Sequence, residues 1–433
     1  MPPSPPCESP ARFAWNRANS LDRLIGTRVW NTSQPYPVQM QGCELEVREA
    51  MPRKRLLRGG SRASDPWAAI AELHGLIGGP DIAFAVIFCS PQYDIDAIAS
   101  AVHDNFGDTP VFGCTTAGEI APFGYIDGGI CGVGFPRKEF VATSALFNDL
   151  ANFELSATMQ RTRAAAAERD RIATAAFPGP AVPPKGFALL LIDGLSIREE
   201  QLVSAVANTL VDTPLVGGSA GDDMNFRRTW ILYDGRFVTN AAVLLLVATR
   251  RRFSVFKTEH FLHTNRKMVV TGANPAKRVV TEINAEPAAL EYARMVGLEG
   301  QPLTPTIFAA HPVLVRVGGQ YHVRAIQKLN ANNSLTFFCA IDEGLVLTVA
   351  KSVDVVQDLI NLFARIKSEL GEPDLIIGCD CVLRNIEIEQ RRLKQVVSEL
   401  FVRNGVVGFC TYGEQFNSMH VNQTFTGIAI GTA

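Results

Sequence analysis

The chain has 433 residues, of which 47% are hydrophobic and 19% charged, and its formal net charge is −2. That is enough material for two or three domains with buried cores, and the charge balance lacks the basic excess of a nucleic-acid binder. Nine cysteines, an odd number scattered from Cys7 to Cys410, read as free thiols of a reducing compartment rather than a disulfide framework, so a cytoplasmic protein is expected.

Residues 1–63 are rich in Pro, Arg and Ser and keep neither a helical nor a strand period, which predicts a disordered arm. Their start lacks the charged segment and apolar run of a secretory signal. From Ser64 or Asp65, either of which can cap a helix with Pro66 in its first turn, ordered structure is expected. Apolar runs such as AAVLLLV at 241–247 fall far short of the roughly twenty residues a spanning helix needs, so no membrane span is expected.

An internal repeat follows, in three copies. The first runs from FAVIFC at 84–89 through the helical DIDAIASAVHDNF into TPVFGCTTAGE at 109–119. The second runs from FALLLID at 187–193 through REEQLVSAVANTL into TPLVGGSAGDD at 213–223. The third runs from LIIGCD at 375–380 through IEQRRLKQVVSELF into GVVGFCTYGEQ at 405–415. Each reads as buried strand, amphipathic helix, buried strand and a small-residue turn ending in an acid, the pattern of a βαβ unit. The expected fold class is therefore α/β, with repeated βαβ units forming mixed sheets in two domains. A further strand follows each turn, at 130–135, 241–247 and 426–431. Between the second and third copies, EPAALEYARMVGL at 286–298 reads as a helix and QYHVRAIQKLNANNSLTFFC as two strands around an Asn-rich turn. SVDVVQDLINLFARIKSELG at 352–371 reads as an amphipathic helix packed on the sheet. The domains are placed at 64–254 and 255–433.

The glycine turns follow buried strands and should gather at the carboxyl ends of the sheets, where open α/β folds bind ligands. Gly113, Cys114, Thr115, Thr116, Gly118, Gly217, Ser219, Gly221, Tyr412 and Gly413 are thus candidate ligand-binding residues, although glycine also serves tight turns and close backbone contact. Neither a Walker A loop nor a dinucleotide fingerprint is present. Glu119, Asp222 and Glu414 stand at equivalent places after the turns, and a recurring acid either contacts ligand or binds a loop amide. Cys379 and Cys381 form a CxC with Arg384 nearby, which lowers a thiol pKa if it reaches the sulfur. No histidine pair has zinc-motif spacing and no CxxCH attaches haem. His420, between the third turn and a strand, is the first candidate for a metal or haem ligand, ahead of His263, His311 and His322; Asn422 lies two residues beyond. No Gly-x-Ser-x-Gly elbow appears, so no enzyme is expected. A hydrolase or transferase, the competing class, would depend on Glu119, Glu414 or Cys381.

FCSPQYD at 88–94, TPVFGCTTAGEI at 109–120 and GYIDGGICGV at 124–133 resemble the FIST N domain. IDEGLVLTVAKS at 341–352, GCDCVLR at 378–384 and GFCTYGEQFNSMHVNQTFTGIAIG at 408–431 resemble the FIST C domain. The resemblance covers about 64–431 and implies a sensory module of bacterial signal transduction. Its standalone form is similar to haem-binding nitric-oxide sensors of the NosP type, which act on partner histidine kinases or cyclic-di-GMP enzymes. It therefore implies haem with His420 as axial ligand and nitric oxide as signal; the alternative is a haem-free sensor of a small, amino-acid-like metabolite. Homodimerisation stays open.

Overall fold

A computed structural model describes residues 56–179 and 184–432. The expected arm lies outside the described residues up to 55, but its last part is a strand: Leu57–Ser61 pairs antiparallel with Ile130–Pro136. Ordered structure therefore begins before Ser64, because this strand covers the edge of the first sheet.

Three repeats share one plan. In the first, Leu57–Ser61, helix Pro66–Ile77, strand Ile82–Cys89, helix Ile95–Phe106 and strand Val111–Thr115 lead to a hairpin, Glu119–Ala121 with Gly124–Ile126, and strand Ile130–Pro136. In the second, the elements are Phe140–Phe147, helix Leu155–Ala176, Lys185–Ile192, helix Glu199–Leu210, Leu215–Ser219, hairpin Ile231–Tyr233 with Arg236–Val238, and Ala242–Thr249. In the third they are Phe253–Thr258, helix Val355–Leu370, Pro373–Cys381, helices Val382–Gln390 and Lys394–Arg403, Val406–Thr411, hairpin Glu414–Phe416 with Met419–Val421, and Phe425–Gly431. The helix read at 388–401 is broken, since Arg392 takes a positive φ of 58° that no right-handed helix accommodates. Asp65, Asp94 and Asp354 cap their helices by accepting first-turn amides.

In each repeat the central strands are parallel, as βαβ units require. The hairpins are exchanged in a ring. That of the first repeat pairs with Val406–Thr411 of the third, that of the third with Leu215–Ser219 of the second, and that of the second with Val111–Thr115 of the first. Each repeat thus completes a six-stranded sheet with a hairpin from another. One face of each sheet contributes to a shared core containing Phe88, Cys114 and Val133, Leu189, Val216 and Leu245, and Ile377, Phe409 and Ile428. Separate clusters bind helices to the other faces. The described residues accordingly form one compact unit.

The third repeat alone carries a long insert, residues 259–354, between its edge strand and its first helix. The insert holds an eight-stranded sheet and helices Ala288–Val296 and Pro305–Ala310 around Tyr292, Phe308 and Phe337. The expected helix is present, and the segment read as two strands forms three, Gln320–Arg324, Ile326–Leu329 and Leu335–Phe337. A second apolar cluster, with Phe261, Leu314, Val323, Phe338 and Tyr412, joins the insert to the glycine-turn end of the repeats.

Candidate functional site

The three turns meet. Gly221 N donates to Thr115 O at 3.0 Å, Ala117 N to Cys410 O at 2.9 Å, and Ser219 N to Gly413 O at 2.8 Å. Thr115 Oγ1 also accepts from Trp230 N at 3.0 Å. The expected convergence at the carboxyl ends therefore exists, but as a packed junction. Gly113, Gly217 and Gly408 occupy matching strand positions, and a Cβ on them would lie 2.0, 1.8 and 1.7 Å from the carbonyl oxygens of Ile87, Leu190 and Gly378. These glycines are there for close backbone contact. Cys114 belongs to the shared core, and Gly221 packs its α-carbon against Ala117.

The acids are not equivalent. Hairpin register places Glu119 opposite Phe409, Glu414 opposite Gly218 and Ile231 opposite Cys114, so Ile231, not Asp222, takes the third place. Glu119 accepts from Thr116 Oγ1 at 2.5 Å and Gly129 N at 3.0 Å. Glu414 accepts from the amide and hydroxyl of Thr424 at 3.2 and 2.7 Å. In the second repeat the matching task of holding the last strand's first amides falls to Asp193, which accepts from Asn240 N at 2.5 Å. Asp222 instead accepts from the amides of Phe226, Arg227 and Arg228 at 2.8, 2.7 and 2.8 Å, and from the Tyr412 hydroxyl. Burial pushes the Glu119 carboxyl up to about 8 and Glu414 well above the usual carboxylate range. These carboxyls tie loops together.

Cys381 and Arg384 do not form an activated thiol. Arg384 Nε donates to Asp380 Oδ1 at 2.8 Å, and its Nη1 lies 3.1 Å from His260 Nδ1. Burial, followed by the Glu414 charge, pushes the Cys381 thiol well up. Glu387 receives His260 Nε2 at 2.7 Å and Ser352 Oγ at 2.8 Å. His260 and Ser352 are the two feet of the insert, so this buried chain fastens its base.

The polar positions that stand out lie in the third hairpin. Across the hairpins the paired positions are Ile120–Tyr125, Leu232–Phe237 and Gln415–His420. The first two pairs pack in apolar clusters; the third is polar and buried. Gln415 Nε2 donates to Ser219 Oγ at 3.0 Å and lies 3.2 Å from His420 Nδ1. Gln415 Oε1 and both amide atoms of Asn422 are buried without a hydrogen-bond partner, while the His420 ring also meets the Phe338 backbone. A Cβ on Gly413 would fall 2.7 Å from His420 Nε2 and 2.8 Å from Asn422 Nδ2, so the absent side chain lets the imidazole and the amide pack directly on the backbone there. The insert covers this cluster: Arg278 binds Glu199 and Glu200 on helix Glu199–Leu210 at 2.6 and 2.5 Å, and Ala340 N donates to Glu200 at 2.5 Å. Burial lowers His420 to about 4, opposed by Glu200 and reinforced by Arg278 and Arg324, so the ring is neutral at physiological pH. Glu199 is pushed up to about 7 by burial against the pull of Arg278.

Of the residues read from sequence, the structure gathers Ser219, Gly413, His420 and Asn422 here and leaves Glu119, Asp222, Cys381 and Arg384 in other clusters. Gln415 was legible as the polar member of an otherwise apolar position, had the hairpins been aligned. Arg278, Arg324, Glu199 and Glu200 carry no local signal. A cleft of ≈ 480 Å³ lies elsewhere, lined by Phe84, Phe112, Phe140 and Tyr233, but no residue lining it has a buried unpartnered polar atom. An axial ligand needs an unprotonated Nε2, whereas the Gln415 amide facing Nδ1 leaves the ring proton on Nε2, and haem also needs a large apolar pocket. The ring lies against Gly413 and Asn422, amid guanidinium and carboxylate groups, and these residues do not fit haem. His311 and His322 lie in the insert, and burial lowers both, His322 to about 4.

Residues 83–286 match the family model described as FIST N domain and residues 288–417 that described as FIST C domain. The two models meet inside the insert. An uncharacterized protein of Methanocaldococcus jannaschii is 25% identical over 269 residues, which cover 54% of this chain and 52% of that protein. The chain thus spans about half the length of the curated relative it matches.

Proposed function

We propose, from the premise that this chain carries a FIST N domain followed by a FIST C domain, sensor domains of signal transduction, that it binds a small polar ligand beside His420 and passes occupancy to a partner protein without turnover. The observation that carries this reading is the third hairpin, which buries the polar pair Gln415 and His420 next to Asn422, with Gln415 and Asn422 atoms unpartnered, where the other hairpins bury apolar pairs. Each unmet buried group costs about 1–3 kcal/mol, and a cluster of them calls for a partner the protein lacks. Gln415 orients the imidazole, Gly413 lets it pack on bare backbone, and the insert excludes bulk water.

Response follows from position. His420 lies between the repeats and the insert, so a ligand that binds better to one placement of the insert shifts the balance of placements and the surface offered outside. A histidine kinase or cyclic-di-GMP enzyme as receiver rests on family resemblance alone. No helix of the described residues is long and apolar enough to cross a membrane.

The test is a metabolite panel screened by thermal shift and calorimetry on the intact chain and His420→Ala. Saturable binding without chemical change of the ligand, lost in the variant, is expected; a converted product would overturn the sensor reading. An absorption spectrum of haem-reconstituted protein is the second arm. A Soret band that shifts with nitric oxide and disappears in His420→Ala would replace the polar ligand with haem.

A further inference from the structure

The edge strands Leu57–Ser61, Phe140–Phe147 and Phe253–Thr258 each lie against the sheet of another repeat, and the side chains they place there differ. Aligning the repeats on Gly113, Gly217 and Gly408 and following the strand register outward matches Ala142 and Ser144 with Leu56 and Arg58 in the first repeat and with Phe253 and Val255 in the third. Alternation along a strand turns both positions to one face, that of the shared core, where Leu56, Ala142, Phe253 and Val255 pack.

In two repeats the edge strand fills the space it faces. The Phe253 ring packs edge-on against Phe187, with centroids 5.2 Å apart. Arg58 Nη1 donates to the carbonyls of Asp374 and Gly405 at 3.4 and 3.1 Å. By the same register the counterparts of Phe187, Asp374 and Gly405 in the first repeat are Phe84, Ala83 and Pro110. These three line the cleft of ≈ 480 Å³, and Ala142 and Ser144 line it too. Two small side chains thus stand where the other edge strands carry a ring or a guanidinium, and the room they leave is the cleft. A hollow of ≈ 440 Å³ beside Phe253 is lined by Lys185, Arg250 and Arg252 and not by Phe187, so the ring position itself is taken there.

The same comparison gives the class of guest. Phe84 stands where Phe187 receives a ring, and Phe112, Phe140 and Tyr233 add aromatic wall around it. Ring-on-ring contacts are favourable beyond the area they bury, and the volume falls within the range of small-molecule sites. The hydroxyls of Ser144 and Tyr233 face each other at 3.5 Å. That is too long for a strong bond, so each keeps capacity for a hydroxyl on the guest.

We propose that this cleft binds a single-ring aromatic molecule bearing a hydroxyl, its ring against Phe84 as that of Phe253 lies against Phe187, and its hydroxyl on Ser144 and Tyr233. No residue of the third hairpin lines the cleft, so the site stands apart from the reading at His420.

Phenol, toluene and cyclohexanol are the probes, titrated into the full chain by calorimetry. Phenol should bind saturably, toluene more weakly and cyclohexanol most weakly. Ala142→Phe, which copies Phe253, should weaken phenol about tenfold or more while leaving the melting temperature as it is or higher. Ser144→Val, which copies Val255, should bring phenol down to the level of toluene, and it carries the test alone if Ala142→Phe does not fold. Absence of saturable phenol binding overturns the proposal, as does phenol binding unchanged in the cleft variants. Cyclohexanol binding as tightly as phenol overturns the aromatic class, and toluene binding as tightly overturns the hydroxyl contact. Neither variant touches the third hairpin, so failure here leaves the reading at His420 to its own test.

Discussion

The hairpins of the three repeats occupy corresponding places, yet two are core and one is not. Ile120 and Tyr125 close against helix Lys394–Arg403, the Tyr125 ring 5.3 Å from that of Phe401. Leu232 and Phe237 pack with the helices of the first repeat. Gln415 and His420, in the same register on helix Glu199–Leu210, make polar contacts and leave polar atoms unmet. A fold that needs an apolar pair twice and departs from it once has used the third position for something other than packing. Comparing copies within one chain separates what the architecture demands from what a ligand demands.

Three changes would break or sharpen that comparison. The largest effect belongs to the apolar copies. Tyr125→Ala removes a buried ring and the hydroxyl bonded to Asp380, and should cost about 3–5 kcal/mol in urea unfolding, while His420→Ala costs under about 1 kcal/mol. Equal losses would make the third hairpin ordinary core. Next comes acidity. His420 is held down to about 4 by burial, so the folded state resists its protonation, and stability present above the ordinary histidine value is lost as pH falls from about 6.5 towards 4, by up to about 3 kcal/mol. His420→Phe should flatten that part of the unfolding-against-pH curve, and an unchanged slope would place the titrating group elsewhere. Smallest is the transplant. Gln415→Leu with His420→Phe copies the second hairpin into the third and should leave the protein as stable or more so, by about 1–2 kcal/mol, while abolishing ligand binding. A transplant that binds as before would move the site away from the hairpin.

Much of the scaffold was legible in the sequence. Runs such as FALLLID mark strands buried on both faces, Asp65 marks a helix start, and the recurrence of strand, helix, strand and glycine turn gives βαβ units with turns at the carboxyl edge. The motifs at 109–120 and 408–431 also pointed to the FIST N and FIST C domains that the family models match. The candidate site was legible in part. His420, Gly413 and Asn422 could be singled out because they crowd one short segment. Glu119 and Asp222 could not be separated, because a carboxylate that ties a loop and one that meets a ligand look alike until register is known.

By itself, then, the sequence determined the repeat, its α/β character and the gathering of the turns, since periodicity, capping and turn chemistry act over a few residues. The tertiary structure alone decided the exchange of hairpins, the opening strand at Leu57–Ser61, the replacement of Asp222 by Ile231 in the register, and the pairing of Arg278 with Glu199 and Glu200. Those outcomes depend on pairings between residues far apart in the chain, where burial and register, not local preference, fix which groups meet.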